Sequence, residues 1–140
     1  MKKKIIILVF VGILVTIFIG TSIFFVAQGI SASNKEHEYI NVYRTRAEEY
    51  IKSSPEFAEK YGDDFSVKFD KSVSYQRITK KSLSDRLVDV FAPDVPKTVE
   101  EFSANIKMMK FNVKINRDEY EIIFEKNDLG ELEVSSVTPK

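Results

Sequence analysis

Residues 5–27 form an uninterrupted apolar run, the strongest pattern in the chain. The run contains no charged residue, and its polar members are Thr16, Thr21 and Ser22, whose hydroxyls can hydrogen-bond to the helix backbone one turn earlier. As an α-helix it would measure about 34 Å, against a hydrocarbon core of about 30 Å. We therefore predict a transmembrane helix over residues 5–27.

The length of the run also bears on whether it is cleaved. The apolar region of a secretory signal peptide is about 7–15 residues long. Residues 27–29 and 31–33 each begin and end with a small side chain, as signal peptidase sites do, so a cleaved leader is an alternative. Because the run is longer than a leader requires, we expect an uncleaved signal-anchor.

The charges on either side of the run predict its orientation. Three lysines at positions 2–4 precede it, and basic residues beside a span favour the cytoplasmic side. All 21 acidic residues and 18 of the 21 basic ones come after it, a net charge of −3. We expect a cytoplasmic basic tip at residues 1–4 and an extracellular domain at residues 35–140, as in a single-pass protein of the cell membrane.

Helical spacing resumes after residues 28–34, a small and polar stretch that we predict to be a connector. Ser33 or Asn34 is expected to cap a helix that ends near Lys52. Its apolar stripe consists of Ile40, Tyr43, Ala47 and Tyr50 or Ile51. One such stripe is typical of a helix that packs on a sheet.

Two further elements are expected next. A short helix is predicted at residues 55–61, begun by a Ser53–Glu56 capping box or by a Ser54 cap with proline at the first position, and ended by Gly62. Strict alternation then predicts a long half-buried strand, bulged near Lys71. The inward positions of this strand are Phe65, Val67, Phe69, Val73 and Tyr75.

The middle of the chain has a less regular pattern. A capping-box sequence at residues 82–85 begins a stretch that fits a short helix, although residues 87–91 fit an edge strand equally well. Pro93 and Pro96 indicate a loop. A further helix is predicted after the loop, with its cap and apolar face formed by Thr98, Glu101, Val99, Phe102 and Ile106.

Alternating apolar residues then predict a three-stranded antiparallel meander, with turns at residues 116–118 and 127–130. Its inward positions are Phe111, Val113, Ile115, Tyr120, Ile122, Phe124, Leu132 and Val134, and Val137 closes the last strand. We therefore predict an α+β fold in which residues 35–140 form a long helix packed on a mostly antiparallel sheet of about four strands.

The composition excludes several classes of function. The absence of cysteine excludes disulfides, thiolate metal sites, cysteine nucleophiles and a lipidated lipoprotein cysteine. The mixed charges form no basic stripe of the kind that nucleic acid requires, so we expect no nucleic-acid partner. The lack of disulfides and of Asn-x-Ser/Thr acceptors favours a Gram-positive bacterial surface.

We predict no catalytic residue, no metal ligand and no cofactor. The single histidine, His37, has no convergent partner and is expected on the surface. Asp63, Asp64 and Asp70 lack the spacing of the twelve-residue calcium loop. Asp63 and Asp64 are expected to be turn residues that precede the strand, and Asp70 is expected on its outward face. Tyr39, Val42, Met108 and Met109 lie off the main stripes and are candidates for a partner surface, unless the core is simply wider.

Residues 50–62, YIKSSPEFAEKYG, and residues 120–134, YEIIFEKNDLGELEV, contain the short-helix and hairpin signals of the chain. They resemble, respectively, the helix-to-strand junction and the closing hairpin of cystatin-like and NTF2-like extracytoplasmic domains of small Gram-positive surface proteins. A tryptophan commonly follows the glycine there, whereas this chain has Leu132 and no tryptophan. The resemblance implies a cystatin-like fold and an assembly or interaction role.

The function that we predict is that of a non-enzymatic, membrane-anchored extracytoplasmic interaction or accessory module of a bacterial envelope. Because the connector is short, its expected partners are the lipid bilayer, through residues 5–27, and a neighbouring membrane or envelope protein. Two alternatives stay open. One is a small-ligand-binding or hydrolytic domain that uses a cone between helix and sheet, and the other is an immunity protein against a membrane-active toxin.

Overall fold

Two compact units make up the chain in the computed structural model, residues 1–35 with 81–95 and residues 36–80 with 96–140. The structure describes residues 2–78, 82–84, 87–88 and 95–140. Helix α1, Lys2–Ser53, contributes to both units. Residues 83–84 and 87–88 are helical, and the rest of the predicted helix or edge strand around them lies outside the described residues.

The apolar part of α1 is confirmed as one long helix, with large apolar side chains exposed on every side. Leu8 and Phe18 are each 73% exposed. The hydroxyls bond back to the helix as expected, with Thr16 Oγ1 donating to Gly12 O at 2.9 Å and Ser22 Oγ to Phe18 O at 2.8 Å. Within the described residues, α1 is the one helix long and apolar enough to cross a membrane, and it is compatible with a single-pass anchor.

The predicted start of a separate helix at Ser33 or Asn34 is wrong, because residues 28–34 are themselves helical and lie within α1. Nothing in this stretch stops a helix. It contains no proline, and Gly29 weakens a helix by only about 1 kcal/mol. The role of residues 28–34 as a connector between a span and a domain stays a prediction.

A four-stranded antiparallel sheet with the strand order β1-β2-β3-β4 confirms the α+β prediction. Its strands are β1 Val67–Arg77, β2 Ile106–Ile115, β3 Asp118–Lys126 and β4 Leu132–Pro139. Two short helices accompany it, α2 Pro55–Tyr61 and α3 Val99–Ala104. The tight turn between β2 and β3 places Asn116 at φ +53°, a backbone conformation that asparagine tolerates better than most residues.

Apolar side chains fill the space between residues 39–51 of α1 and the sheet. The predicted stripe is confirmed, with Ile51 buried at its end and Tyr50 46% exposed. The ring of Tyr43 meets that of Phe124 edge-on, with centroids 5.5 Å apart. The largest fully buried side chains are Tyr43, Phe111, Phe124, Ile51, Ile106, Met109, Ile115 and Ile122. The sheet therefore has one face on the core and one face in solvent.

The predicted bulge in β1 is confirmed by a register shift between Phe69 and Val73. Arg44 of α1 fastens it, because the Nη2 group donates to the backbone carbonyls of Asp70 and Lys71 at 3.2 and 2.8 Å. These bonds tie the helix to an edge strand at the point where the bulge frees carbonyls from the ladder.

Helix α2 begins and ends where the sequence predicts, and α3 begins at its predicted cap. The placement of Ile106 on the apolar face of α3 is wrong, because α3 ends at Ala104 with Asn105 as its C-cap and Ile106 is the first residue of β2. Ser54 is the N-cap of α2 with proline at the first position, so the second of the two predicted signals is the one used, although its side chain makes no capping bond. Gly62 ends α2 at φ +83°. At α3, Thr98 Oγ1 accepts from the Glu101 N–H at 3.2 Å, and the Glu101 carboxylate accepts from the Lys97 N–H.

Candidate functional site

The residues considered for chemistry from the sequence do not converge. His37 is exposed, and so are Asp63, Asp64 and Asp70. Within the described part of the chain, no three His, Cys, Asp or Glu side chains are close enough together to hold a metal ion. Neither a metal centre nor an acid–base pair is assembled by these residues.

The four residues considered for a partner surface divide between core and surface. Tyr39 and Met109 are buried, at 7% and 0% exposure, so the wider core is the correct interpretation for them. The Tyr39 hydroxyl donates to the Pro96 carbonyl at 2.7 Å. Val42 and Met108 are half-buried, and Met108 lies on the solvent face of the sheet.

A polar cluster joins α2 to the β2–β3 hairpin. Lys60 Nζ lies 2.7 Å from Tyr120 OH and 3.1 Å from Asp118 Oδ2. The two phenol oxygens of Tyr61 and Tyr120 are 2.7 Å apart, and the Tyr61 hydroxyl donates to Asp118. The Tyr61 ring stacks on Phe57, which is buried against Tyr120. These four polar side chains therefore hydrogen-bond to one another and link α2 to the hairpin at one end of the core.

The protonation states of this cluster suit a structural role. Hydrogen bonds to the hydroxyls of Tyr120 and Tyr61 raise the pKa of Lys60, so its amine stays protonated. Partial burial, with donation to Asp118, raises the pKa of Tyr61. The bonds that Tyr61 and Lys60 donate lower the pKa of Asp118. A nucleophilic amine or a tyrosinate base would need the opposite shifts.

We expect the cluster to make stability depend on pH at both extremes. The lowered pKa of Asp118 contributes stability at neutral pH that is lost as the pH falls below about 4. The raised pKa values of Lys60 and Tyr61 contribute stability that is lost as the pH rises above about 10. Urea midpoints measured against pH should show Asp118→Asn flattening the acid limb. Asp128→Asn, at an exposed turn, is the matched control, and an equal effect from it would contradict this role.

A groove of about 770 Å³ is bounded by α1, by α3 and by the edge of β4. Its walls are Tyr43, Arg46 and Tyr50 of α1, residues of α3, and residues 130–134. Arg46 lies over the Tyr43 ring at 5.0 Å, and Lys126 Nζ donates to the Ala104 carbonyl at 2.7 Å. Both basic groups of the groove are thus already engaged.

The acidic residues at the β4 side of the groove have no ion-pair partner among the described residues. Glu131 and Glu133 are exposed, and neither is in an ion pair within the described residues. Glu133 stands opposite another exposed carboxylate, that of Glu125 on β3. Glu131 and Glu133 of the groove lining and the neighbouring Glu125 are therefore three carboxylates with no ion pair to any described residue.

Neither the polar cluster nor the groove was predicted from the sequence. The partners in the cluster are 57 to 60 residues apart, and only the packing of α2 against the hairpin brings them together. One signal was available for the groove, since Tyr50 is an aromatic residue next to the buried stripe of α1 with no core position to fill.

No protein-family model, curated protein or solved structure matches the chain. Its function must therefore be inferred from its own residues.

Proposed function

We propose that the chain is a non-enzymatic, membrane-anchored module of a bacterial envelope whose cystatin-like α+β domain lies outside the cell membrane and binds a neighbouring membrane or envelope protein. The observation that supports it is the apolar part of α1. Residues 5–27 have no charge and expose large apolar side chains all round the helix. Exposed to water, such a surface is strongly unfavourable, whereas a bilayer accommodates it.

The packing of the domain favours an interaction module over a ligand-binding or hydrolytic domain. A ligand in a cone between helix and sheet would need an open interior, but eight large side chains there are less than 2% exposed. The groove at the β4 edge is an open surface of the described residues, bounded by backbone and by mixed polar and apolar side chains. Such a surface suits contact with another protein.

Cysteine labelling tests the anchor and its orientation, and the cysteine-free chain makes the test clean. Lys3→Cys and Asp63→Cys lie on opposite sides of the apolar run. In intact cells, a membrane-impermeant maleimide should label Asp63→Cys, and it should label Lys3→Cys only after lysis. Labelling in the reverse order would overturn the orientation. A mature chain that lacks Lys3→Cys altogether would show a cleaved leader instead of an anchor.

Partner capture completes the test. In the producing cells, cross-linking of native membranes should join the full chain to a membrane or envelope protein. A matched variant in which residues 5–27 are replaced by a cleavable leader should lose that partner, because the domain is then no longer held beside the membrane. Recovery of no cross-linked protein, or of the same protein at equal yield from the released domain, would contradict an anchored interaction module.

A further inference from the structure

Among the described residues, β4 is the last strand of the sheet, and its outer edge is obstructed along one half and open along the other. A register shift between Ile123 and Phe124 places a bulge at Ser135, whose hydroxyl donates to the Ile123 carbonyl at 3.2 Å. Pro139 lies at the end of the strand and has no N–H to offer. Bulges and prolines are two devices that prevent an edge strand from pairing with another chain. The segment before the bulge has neither device.

The unpaired backbone groups of that segment lie along the groove. The Asn127 N–H donates to the Glu131 carbonyl at 2.8 Å, and the bonds of an antiparallel pair recur at every second residue. Glu133 therefore bonds to β3, whereas the N–H and C=O groups of Leu132 and Val134 point away from it. Both residues line the groove. An added strand could therefore hydrogen-bond to these N–H and C=O groups and place side chains in the groove.

Side chains of an added strand would alternate between two different environments. Those beside Leu132 and Val134 would enter the groove, whose lining includes the rings of Tyr43 and Phe124. Those on the opposite face would stand next to the exposed carboxylates of Glu131 and Glu133, with that of Glu125 one strand further away. The first environment favours apolar side chains and the second favours basic ones.

We propose that residues 130–134 bind an extended segment of a partner protein, in which basic residues alternate with apolar ones, by adding it to the sheet as a fifth strand. The inference rests on the proposed function, since it names the surface and the partner chemistry of that interaction module. Backbone hydrogen bonds hold the segment against β4. The apolar groove on one face and the carboxylates on the other make the binding specific for alternating apolar and basic side chains.

A second copy of this chain fits the same edge less well. Pairing of two β4 segments about a two-fold axis would place Glu131 and Glu133 of each copy beside the same carboxylates of the other. Like charges directly opposite each other are destabilising in a sheet. The charge of these carboxylates therefore selects a basic partner strand over self-pairing.

The test uses the full chain in lipid nanodiscs and a short capped peptide of alternating valine and lysine as the probe. The peptide should shift the amide NMR signals of Leu132 and Val134. Val134→Pro removes an outward N–H without removing a bond to β3, and it should weaken binding by about tenfold. Val137→Pro is the matched control, because it removes an outward N–H on the other side of the bulge, and it should leave binding unchanged.

A charge reversal tests the specificity separately. In the variant with Glu131→Lys and Glu133→Lys, a peptide of alternating valine and glutamate should replace the valine–lysine peptide as the tighter ligand. The control pair Glu56→Lys and Glu59→Lys, on α2, adds the same charge away from the groove and should leave the preference for lysine intact. If the control pair reverses the preference too, the effect is one of net charge and the proposal is wrong.

The outcomes separate this inference from the proposed function. No binding of the valine–lysine peptide, equal weakening by Val134→Pro and Val137→Pro, or a dimer of the chain abolished by Val134→Pro would each overturn the inference. None of these results bears on the cysteine-labelling test of the anchor. Conversely, peptide binding at Leu132 and Val134 would stand even if the labelling showed a cleaved leader and a released domain.

Discussion

Replacing Phe124 with alanine is expected to lower the free energy of unfolding of the domain by about 3–5 kcal/mol. The Phe124 ring is 1% exposed and lies between two other aromatic rings, those of Tyr43 at 5.5 Å and Phe111 at 5.8 Å. Its removal leaves a cavity between the ring of Tyr43 on α1 and that of Phe111 on β2. Because domains of this size are stable by only about 5–15 kcal/mol, the variant should be close to unfolding.

Chemical denaturation of the full chain in lipid nanodiscs, followed by near-ultraviolet circular dichroism of the tyrosines, measures this effect. That signal reports the packing of the six tyrosines, Tyr43 among them, and none of the six lies in the apolar part of α1. Leu129→Ala is the matched control, since Leu129 is 84% exposed and its truncation removes no buried contact. Equal denaturation midpoints for the two variants would show that the helix does not depend on the sheet for its packing.

The proposed membrane anchor predicts that two arginines in the middle of the apolar run abolish membrane insertion. On the insertion scale, each arginine at a helix centre costs about 2.5–3.5 kcal/mol, so Leu14→Arg with Ile17→Arg costs about 5–7 kcal/mol. The two positions are one turn apart and therefore place both charges on the same side of the helix. The variant should leave the membrane pellet after alkaline carbonate extraction, whereas the natural chain should stay in it.

The control for this experiment is Ser31→Arg with Asn34→Arg, which places the same two charges at the same spacing outside residues 5–27. Both serine and asparagine are exposed there. This variant should stay in the pellet. A Leu14→Arg and Ile17→Arg variant that resists extraction as well as this control would mean that the apolar run is not what holds the chain in the membrane.

The strands of this fold could be predicted because each of them has one face in the core and one in solvent. Phe111, Val113 and Ile115 alternate with Asn112 and Lys114, so the period of two is visible directly in the sequence. The last strand follows the same alternation on both sides of a bulge. The extra residue Ser135 restores Val137 to a position opposite Ile122, which explains its odd spacing from Val134.

Features that depend on distant parts of the chain could not be predicted in this way. Arg44 lies off the apolar stripe of α1, and nothing near it in sequence indicates that two carbonyls of a β1 bulge lie within its reach. The continuity of α1 through Asn34 was missed for a different reason, since an asparagine after small polar residues is compatible with either a helix cap or a helix interior. The groove could not be predicted, because it depends at once on the pairing of β3 with β4, on the position of α3 and on the exposure of Tyr50.

The sheet order has a consequence for how the domain forms during synthesis. The buried stripe of α1 is made early, whereas its main covering strands, β2 to β4, are made after residue 105. Until they arrive, residues such as Tyr43 and Ile51 have little apolar surface to pack against, and a chain interrupted before β4 would leave them uncovered. The helix therefore emerges as an exposed amphipathic segment, and folding must wait for two consecutive hairpins that can each form locally.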